Sequence, residues 1–312
     1  MEDILTATFW IGILASGIRL ATPYLFAALG ETLGQRSGVL NLGVEGQMLM
    51  GAFTAFYVTL QTGNLWLAVL AAAVVGAVMG LAMAFVSIHL QAEQGISGIG
   101  FYLFGLGMST LLFQMLVGAP KTVSAFPQIH IPWLSDIRFL GIGEIFFQQN
   151  ILVYAAFALV PIAWFLLQKT TLGLKIRAVG ENPEAADSLG VSVRLVRYIT
   201  VTLGGLLSGV AGASMSIALS SVFQQGMTAG LGFIAVALVY FGGWRPVWVM
   251  LGALLFSMIN ALQLRLQLIP DWPVPGEWMV MAPYVFTIVV LVITVQRVRS
   301  PSALTKPFER SG

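Results

Sequence analysis

No cysteine occurs anywhere in the 312 residues. That excludes disulfides, thiolate chemistry, iron–sulfur clusters and Cys-based zinc sites. Histidine is nearly as scarce. His89 and His130 are the only two, far apart in sequence, so no histidine-rich metal site is expected. No Gly-Lys pair exists either, because the four lysines follow Pro120, Gln168, Leu174 and Thr305. The phosphate-cradling G-x-x-x-x-G-K-[ST] loop requires that pair, so the chain does not bind ATP by this route. No Ser–His–Asp set can be placed, which leaves no catalytic residue, no cofactor and no enzyme activity to expect. Charge is scarce too. Only 9% of residues are charged, against about 25% in soluble domains, too few to coat a water-facing surface. The formal net charge of +2 points neither to nucleic acid nor to a peripheral basic protein.

What fills the chain is apolar: 58% of residues are hydrophobic. The pattern predicts an all-α polytopic membrane protein, organised as a single transmembrane domain over 1–312. Nine stretches read as crossings: 5–30, 39–60, 65–90, 96–117, 149–168, 196–219, 226–243, 247–267 and 279–297. The seventh is short and Gly-rich, which suits a broken or re-entrant segment. The start, Met1-Glu2-Asp3, is acidic, whereas a secretory signal needs a positive n-region. The first apolar run therefore reads as a retained helix.

Lys and Arg placement sets the expected orientation. With 169–195 in the cytoplasm, 31–38, 91–95, 244–246 and the C-terminal tail lie there too. That side then holds eleven basic residues, from Arg36 to Arg310, against Lys121 and Arg138 outside. The N-terminus is then external and the C-terminus internal. The external loops carry Pro132-Trp133 and a Trp- and Pro-rich run over 271–278, readable as an interfacial aromatic belt or as a docking rim.

Three groups of residues carry candidate function. In 169–195, Asn182 is a good N-cap, Pro183 suits the first helical position, Glu184 complements the helix dipole and Gly190 suits the helix end. A helix of about two turns over 183–189 follows. It either joins two spans or docks on a cytoplasmic motor through Asn182, Pro183, Glu184, Ala185, Ala186, Asp187 and Gly190. In 38–47, Glu45 is the one acidic residue well inside an apolar stretch, and carboxylates at that depth face a bundle interior or a watery cavity. Asn41 and Glu45 stand at i and i+4, so as helix residues they share a face, with Gln47 close by. Glu45 can line a cavity, cap a helix break, or pair with Arg36 or Arg19. Glu31 and Arg36 are expected to pair locally. The third group is Gln224, Gln225 and Thr228 with Asn260 and Gln263, as interhelical hydrogen-bonding groups or cavity lining. The Gly-punctuated segments 38–46 and 226–232 run in opposite directions in this topology, the signature of an inverted repeat, in which substrate sites sit at interrupted helices.

The runs Gly38-Val-Leu-Asn41-Leu-Gly-Val-Glu45-Gly-Gln-Met-Leu-Met-Gly51-Ala52 and Gly173-Leu-Lys-Ile-Arg177-Ala-Val-Gly180-Glu-Asn182-Pro-Glu-Ala185-Ala186-Asp-Ser-Leu-Gly190-Val carry a resemblance. Over nearly the whole length, the chain resembles bacterial ABC-importer permeases grouped with the ribose and branched-chain amino acid transporters. The Asn41–Gly46 string resembles the nucleoside-type subgroup, often annotated for simple sugars. The resemblance implies a bacterial plasma-membrane permease for nucleosides. It also implies a cytoplasmic ABC ATPase, a second, homologous but different permease chain, and an extracytoplasmic substrate-binding lipoprotein. By the same resemblance, 181–190 is the loop that meets the ATPase. The alternatives are the same role for simple sugars such as pentoses, and a proton- or sodium-coupled secondary transporter using Glu45. The latter leaves 169–195 unexplained.

Overall fold

The computed structural model describes residues 7–130, 142–269, 275–295 and 299–309. Glu2, Asp3, Pro132, Trp133, Arg138, residues 271–274, Arg297 and Arg310 lie outside the described residues. The chain folds into α1 (Ala7–Arg36), α2 (Val44–Thr62), α3 (Leu65–Ala84), α4 (Gln94–Leu116), α5 (Ile142–Phe146), α6 (Ile151–Lys169), α7 (Thr171–Glu181), α8 (Pro183–Ser188), α9 (Val193–Ser214), α10 (Leu231–Phe241), α11 (Pro246–Leu266) and α12 (Gly276–Val295). Single π-helical turns, Phe85–His89 and Met215–Leu219, extend α3 and α9. Among the described residues the fold is all-α. Among the described residues six helices are long and apolar enough to cross a membrane: α1, α3, α4, α6, α9 and α11. Helix α10 is different. Its 11 residues span about 16 Å, roughly half of a hydrocarbon core, so it cannot cross alone.

Local chemistry explains where helices begin. Asn64 accepts from the amides of Trp66 and Leu67 at the start of α3, Asn150 from Val153 at α6, and Ser192 from Leu195 at α9. Glu93 caps α4, and the amides of Ile96 and Gly95 that it accepts hold its carboxyl below the usual carboxylate range.

Helix α9 is the central post, packed between α1, α2 and α3. It approaches so closely because glycines face small residues. A Cβ on Gly205 would come within 2.7 Å of the Gly80 Cα, and one on Gly76 within 2.8 Å of the Gly209 Cα. No hydrophobic drive separates helix from lipid tail, so such close backbone packing is what holds membrane helices together.

Segments that the charge pattern assigns to one side do meet at one end. The Arg197 side chain donates to the carbonyls of Ser37 and Lys306, both at 3.1 Å. The C-terminal tail straps this end: Ala303 N donates to Gly180 O at 2.9 Å and Thr305 N to Gly38 O at 3.1 Å. Gln91 reaches Phe308 O at 3.4 Å, and the Arg36 Nε reaches Trp244 O at 3.1 Å. The 31–38 turn, the 91–95 loop, the α7–α9 region, 244–246 and the tail thus form one face. At the opposite end, residues 123–129 run against the end of α9 and the start of α6, with Val123 N bonded to Ser221 O and Ile129 N to Gln149 O, both at 2.9 Å.

Candidate functional site: a junction of two helix starts

Two helices begin inside the molecule and leave in opposite directions. Beyond α1 the chain turns at Ser37 and Gly38, runs back non-helically alongside α1, and starts α2 only at Val44. Asn41 Oδ1 accepts from Gly43 N at 2.9 Å, a local turn that competes with helix and delays its start. Helix α2 then climbs away from the Arg36 end beside α4: Leu40 N meets the Gln94 side chain, and Phe56 packs on Phe113. Helix α10 begins after a loop whose Gly230 sits at φ +88, a left-handed conformation that favours glycine. It descends toward Trp244, whose indole N–H donates to Gln35 Oε1 at 2.8 Å.

Glu45, in the first turn of α2, joins the two starts. One oxygen accepts from the Thr228 hydroxyl at 2.6 Å and from Gly230 N at 2.7 Å, and the other from Gly232 N at 2.5 Å. The carboxylate therefore caps α10 from another element, satisfying first-turn N–H groups and facing the positive end of the helix dipole. Glycine at 232 is required by closeness, since a Cβ there would lie 2.6 Å from the Glu45 Cα. A second set of bonds ties down the other end of α10. Trp244 holds Gln35, Gln35 Nε2 donates to Glu31 Oε1 at 3.0 Å, and that same oxygen accepts Asn41 N at 3.0 Å. Asn41 Nδ2 then donates to Gln47 Oε1 at 3.2 Å, while the Gln47 Nε2 is buried with no partner.

Asn41, Glu45, Gln47 and Thr228 are thus brought together, all buried. Gln224 and Gln225 are exposed in the loop before α10, and Asn260 is half-buried in α11 beside Tyr24. Asn41 and Glu45 do not share a helix face, because the Asn41 turn keeps Asn41 outside α2. Glu45 pairs with neither Arg36 nor Arg19. The expected Glu31–Arg36 pair is absent as well. Five residues apart, they point about 140° apart around α1; Glu31 turns inward to Asn41 and Gln35, and Arg36 outward to Trp244. Gln35 and Trp244 were not singled out from the sequence, and Glu31 only for a pair with Arg36. The clue was a Trp ring N–H in an apolar run, which needs an acceptor when buried.

The short helix near 183–189 forms as Pro183–Ser188. Asn182 Oδ1 caps Ala185 N at 3.0 Å and Gly190 ends it at φ +81. Asn182, Glu184, Ala185 and Gly190 are exposed, and Pro183 and Asp187 are half-buried. Ala186 faces inward. It is buried against Leu33, Leu167, Ile176, Val179, Val193 and Val196, because the inward side of a two-turn helix must pack on its own protein. The outward apolar group is Leu189, 84% exposed.

Residues 13–295 match the model of the branched-chain amino acid transport system / permease component family. The chain belongs to this family. It is an ABC transporter permease, a multi-pass plasma-membrane transport subunit that works with an ATPase and a substrate-binding protein, and the secondary-transporter alternative falls. The permease is 41% identical to TsgC13 of Haloferax volcanii, an ABC transporter permease protein provisionally named for glucose, over 97% of this chain and 99% of that one. It is 37% identical to the guanosine ABC transporter permease protein NupQ of Bacillus subtilis, covering 92% and 93% of the two chains. With the nucleoside ABC transporter permease protein NupC of Lactococcus lactis it shares 36% identity over 93% and 94%. No solved structure matches the permease.

Proposed function

We propose that the permease imports nucleosides, as one transmembrane domain of nine crossings paired with a homologous, different permease chain. Its N-terminus lies outside and its strapped face inside. The observation that carries the substrate is the match to NupQ and NupC over more than nine-tenths of each chain. Pairing with a different chain follows from the resemblance of the Asn41–Gly46 string. In this reading α8 meets the ATPase through Asn182, Glu184, Ala185 and Leu189, with Pro183, Asp187 and Gly190 shaping the contact. Displacement of α8 moves α7, whose Gly180 carbonyl is tied to Ala303. The tail carries the motion to Gly38, and residues 39–43 carry it to the Glu45 junction. Substrate passes beside that junction. Gln224, Gln225 and Asn260 meet it first, and opening frees Asn41, Gln47 and Thr228 to hydrogen-bond ribose hydroxyls. The unpartnered Gln47 Nε2 supports this, being a donor with nothing to donate to at rest.

A second reading, glucose, is favoured by the 41% identity to TsgC13. Titrating the cognate binding protein with guanosine, uridine, ribose and glucose separates the two. Nucleoside binding followed by uptake of labelled guanosine through the reconstituted transporter is expected. Binding of glucose with no nucleoside binding would replace the first reading with the second.

A further inference from the structure

A pocket of about 530 Å³ opens where α10 ends and α11 begins, lined by Arg36, Gly242, Gly243, Arg245, Trp248 and Arg299. Three arginines at one cavity repel one another unless an anion is present. Among the described residues, no carboxylate lies within salt-bridge distance of Arg36, Arg245 or Arg299. Glu181 and Arg177 are the further charges that act on Arg36, and the Glu181 carboxylate accepts from Ser302 Oγ at 3.2 Å. The pocket lining itself holds three arginines and no carboxylate. The Arg36 Nε is used by Trp244 O, while its terminal nitrogens have no hydrogen bond among the described residues. No side chain caps α11, so the positive end of its dipole adds to the field.

The pocket continues into an apolar stripe. Val247, Leu251 and Leu255 recur every four residues up α11, a helix long enough to cross the bilayer, and are 42%, 44% and 43% exposed; Trp248 is 55% exposed at the pocket mouth. An interfacial Trp marks headgroup depth. Charge at the end of a membrane-facing apolar stripe matches a molecule with a phosphate head and acyl chains, and basic pockets between helices take anionic headgroups. A cytoplasmic protein would meet the arginines but not the stripe. We propose that this pocket is a binding site for one anionic phospholipid, its phosphate held by Arg36, Arg245 and Arg299 and its chains laid along Val247, Leu251 and Leu255. Guanidinium groups suit this task because they bond phosphate oxygens in pairs.

The test uses the whole transporter, delipidated in detergent, and reads thermal stability and lipid retained in native mass spectrometry. Phosphatidylglycerol is expected to stabilise it more than phosphatidylcholine, with one molecule retained. Arg245→Gln with Arg299→Gln removes two exposed side chains that make no hydrogen bond among the described residues, so folding should survive. Apparent phosphatidylglycerol affinity should fall roughly fivefold per arginine removed, while Arg245→Lys with Arg299→Lys retains the preference. Equal stabilisation by both lipids, or a preference untouched by the glutamines, overturns the site. Stabilisation by inorganic phosphate alone to the same extent overturns the lipid as occupant. So does a glutamine variant that keeps its lipid and loses its ATPase.

Discussion

At Glu45, three donors from residues 228–232 converge on one carboxylate that pairs with no cation among the described residues. Glutamine has the same shape but one acceptor oxygen, and its NH2 group would face an N–H or hydroxyl donor at the start of α10. A hydrogen bond to a charged group contributes about 1.5–3 kcal/mol, and here at least one becomes a donor-to-donor clash. Glu45→Gln is therefore expected to lower the melting temperature of the purified permease and to reduce uptake roughly tenfold, in line with about 1.4 kcal/mol per decade. Uptake and melting temperature both at wild-type level would show that the junction tolerates loss of charge. Glu45 was legible in the sequence because it is a lone carboxylate in an apolar stretch. Its partners were not, since Gly230 and Gly232 offer backbone N–H groups, which every residue has, from a site 185 and 187 residues further along. The Glu31–Arg36 expectation failed for a related reason. Sequence proximity suggested a pair, but the helix turns the two side chains apart, and the chain reversal at Gly38 supplies Glu31 with a backbone amide instead.

Among elements, α8 was the most legible, because its start and end are written in local signals: Asn182, Pro183 and Gly190. Which side of it faces outward was not legible, because that depends on the cluster around Leu33 and Val193, assembled from distant parts of the chain. The contrast gives a paired test. Leu189→Glu changes an exposed group, and is expected to leave the melting temperature unchanged while cutting substrate-stimulated ATP hydrolysis by tenfold or more. Ala186→Arg buries a charge in an apolar cluster, a change that destabilises strongly, and should lose folded permease altogether. If Leu189→Glu retains full stimulation, α8 does not meet the ATPase through this residue. Helix α9 offers a test of packing. Gly209→Val places side-chain atoms against Ala72 and Gly76, and overpacking costs about 1–3 kcal/mol or more, so folded yield should drop. The sequence marked α9 as apolar; its glycines became meaningful only once α2 and α3 lay against it.

On the scale of the molecule, the positive-inside pattern foresaw which loops share a face, because net Lys and Arg placement is a global property that survives errors in each boundary. The shared face is now held by specific bonds: Arg197 to Ser37 and Lys306, Ala303 to Gly180, Thr305 to Gly38. Bonds of this kind fix which segments are together without saying which side of the membrane they occupy. The permease has no cysteine, so a single introduced one reports its side without background. Asp3→Cys is expected to react with a membrane-impermeant maleimide in intact cells. Thr305→Cys, whose side chain is exposed while its backbone N–H stays bonded to Gly38 O, is expected to react only after permeabilisation. The opposite pattern would move α8, the tail and the arginine pocket to the outer side, beyond reach of any ATPase. The same tail allows one further separation of roles. Ending the chain after residue 300 removes the Ala303, Thr305 and Lys306 bonds, and with them the bridge that the tail makes between Gly180 and Gly38. The core built on α9 does not depend on those bonds, and the truncated permease should still insert and bind its ATPase. If the tail transmits motion from α8 to the Glu45 junction, ATP hydrolysis should persist while uptake per ATP falls severalfold. An unchanged ratio of uptake to hydrolysis would mean that α7 and α1 carry the movement by their direct packing, with the tail acting as a static brace.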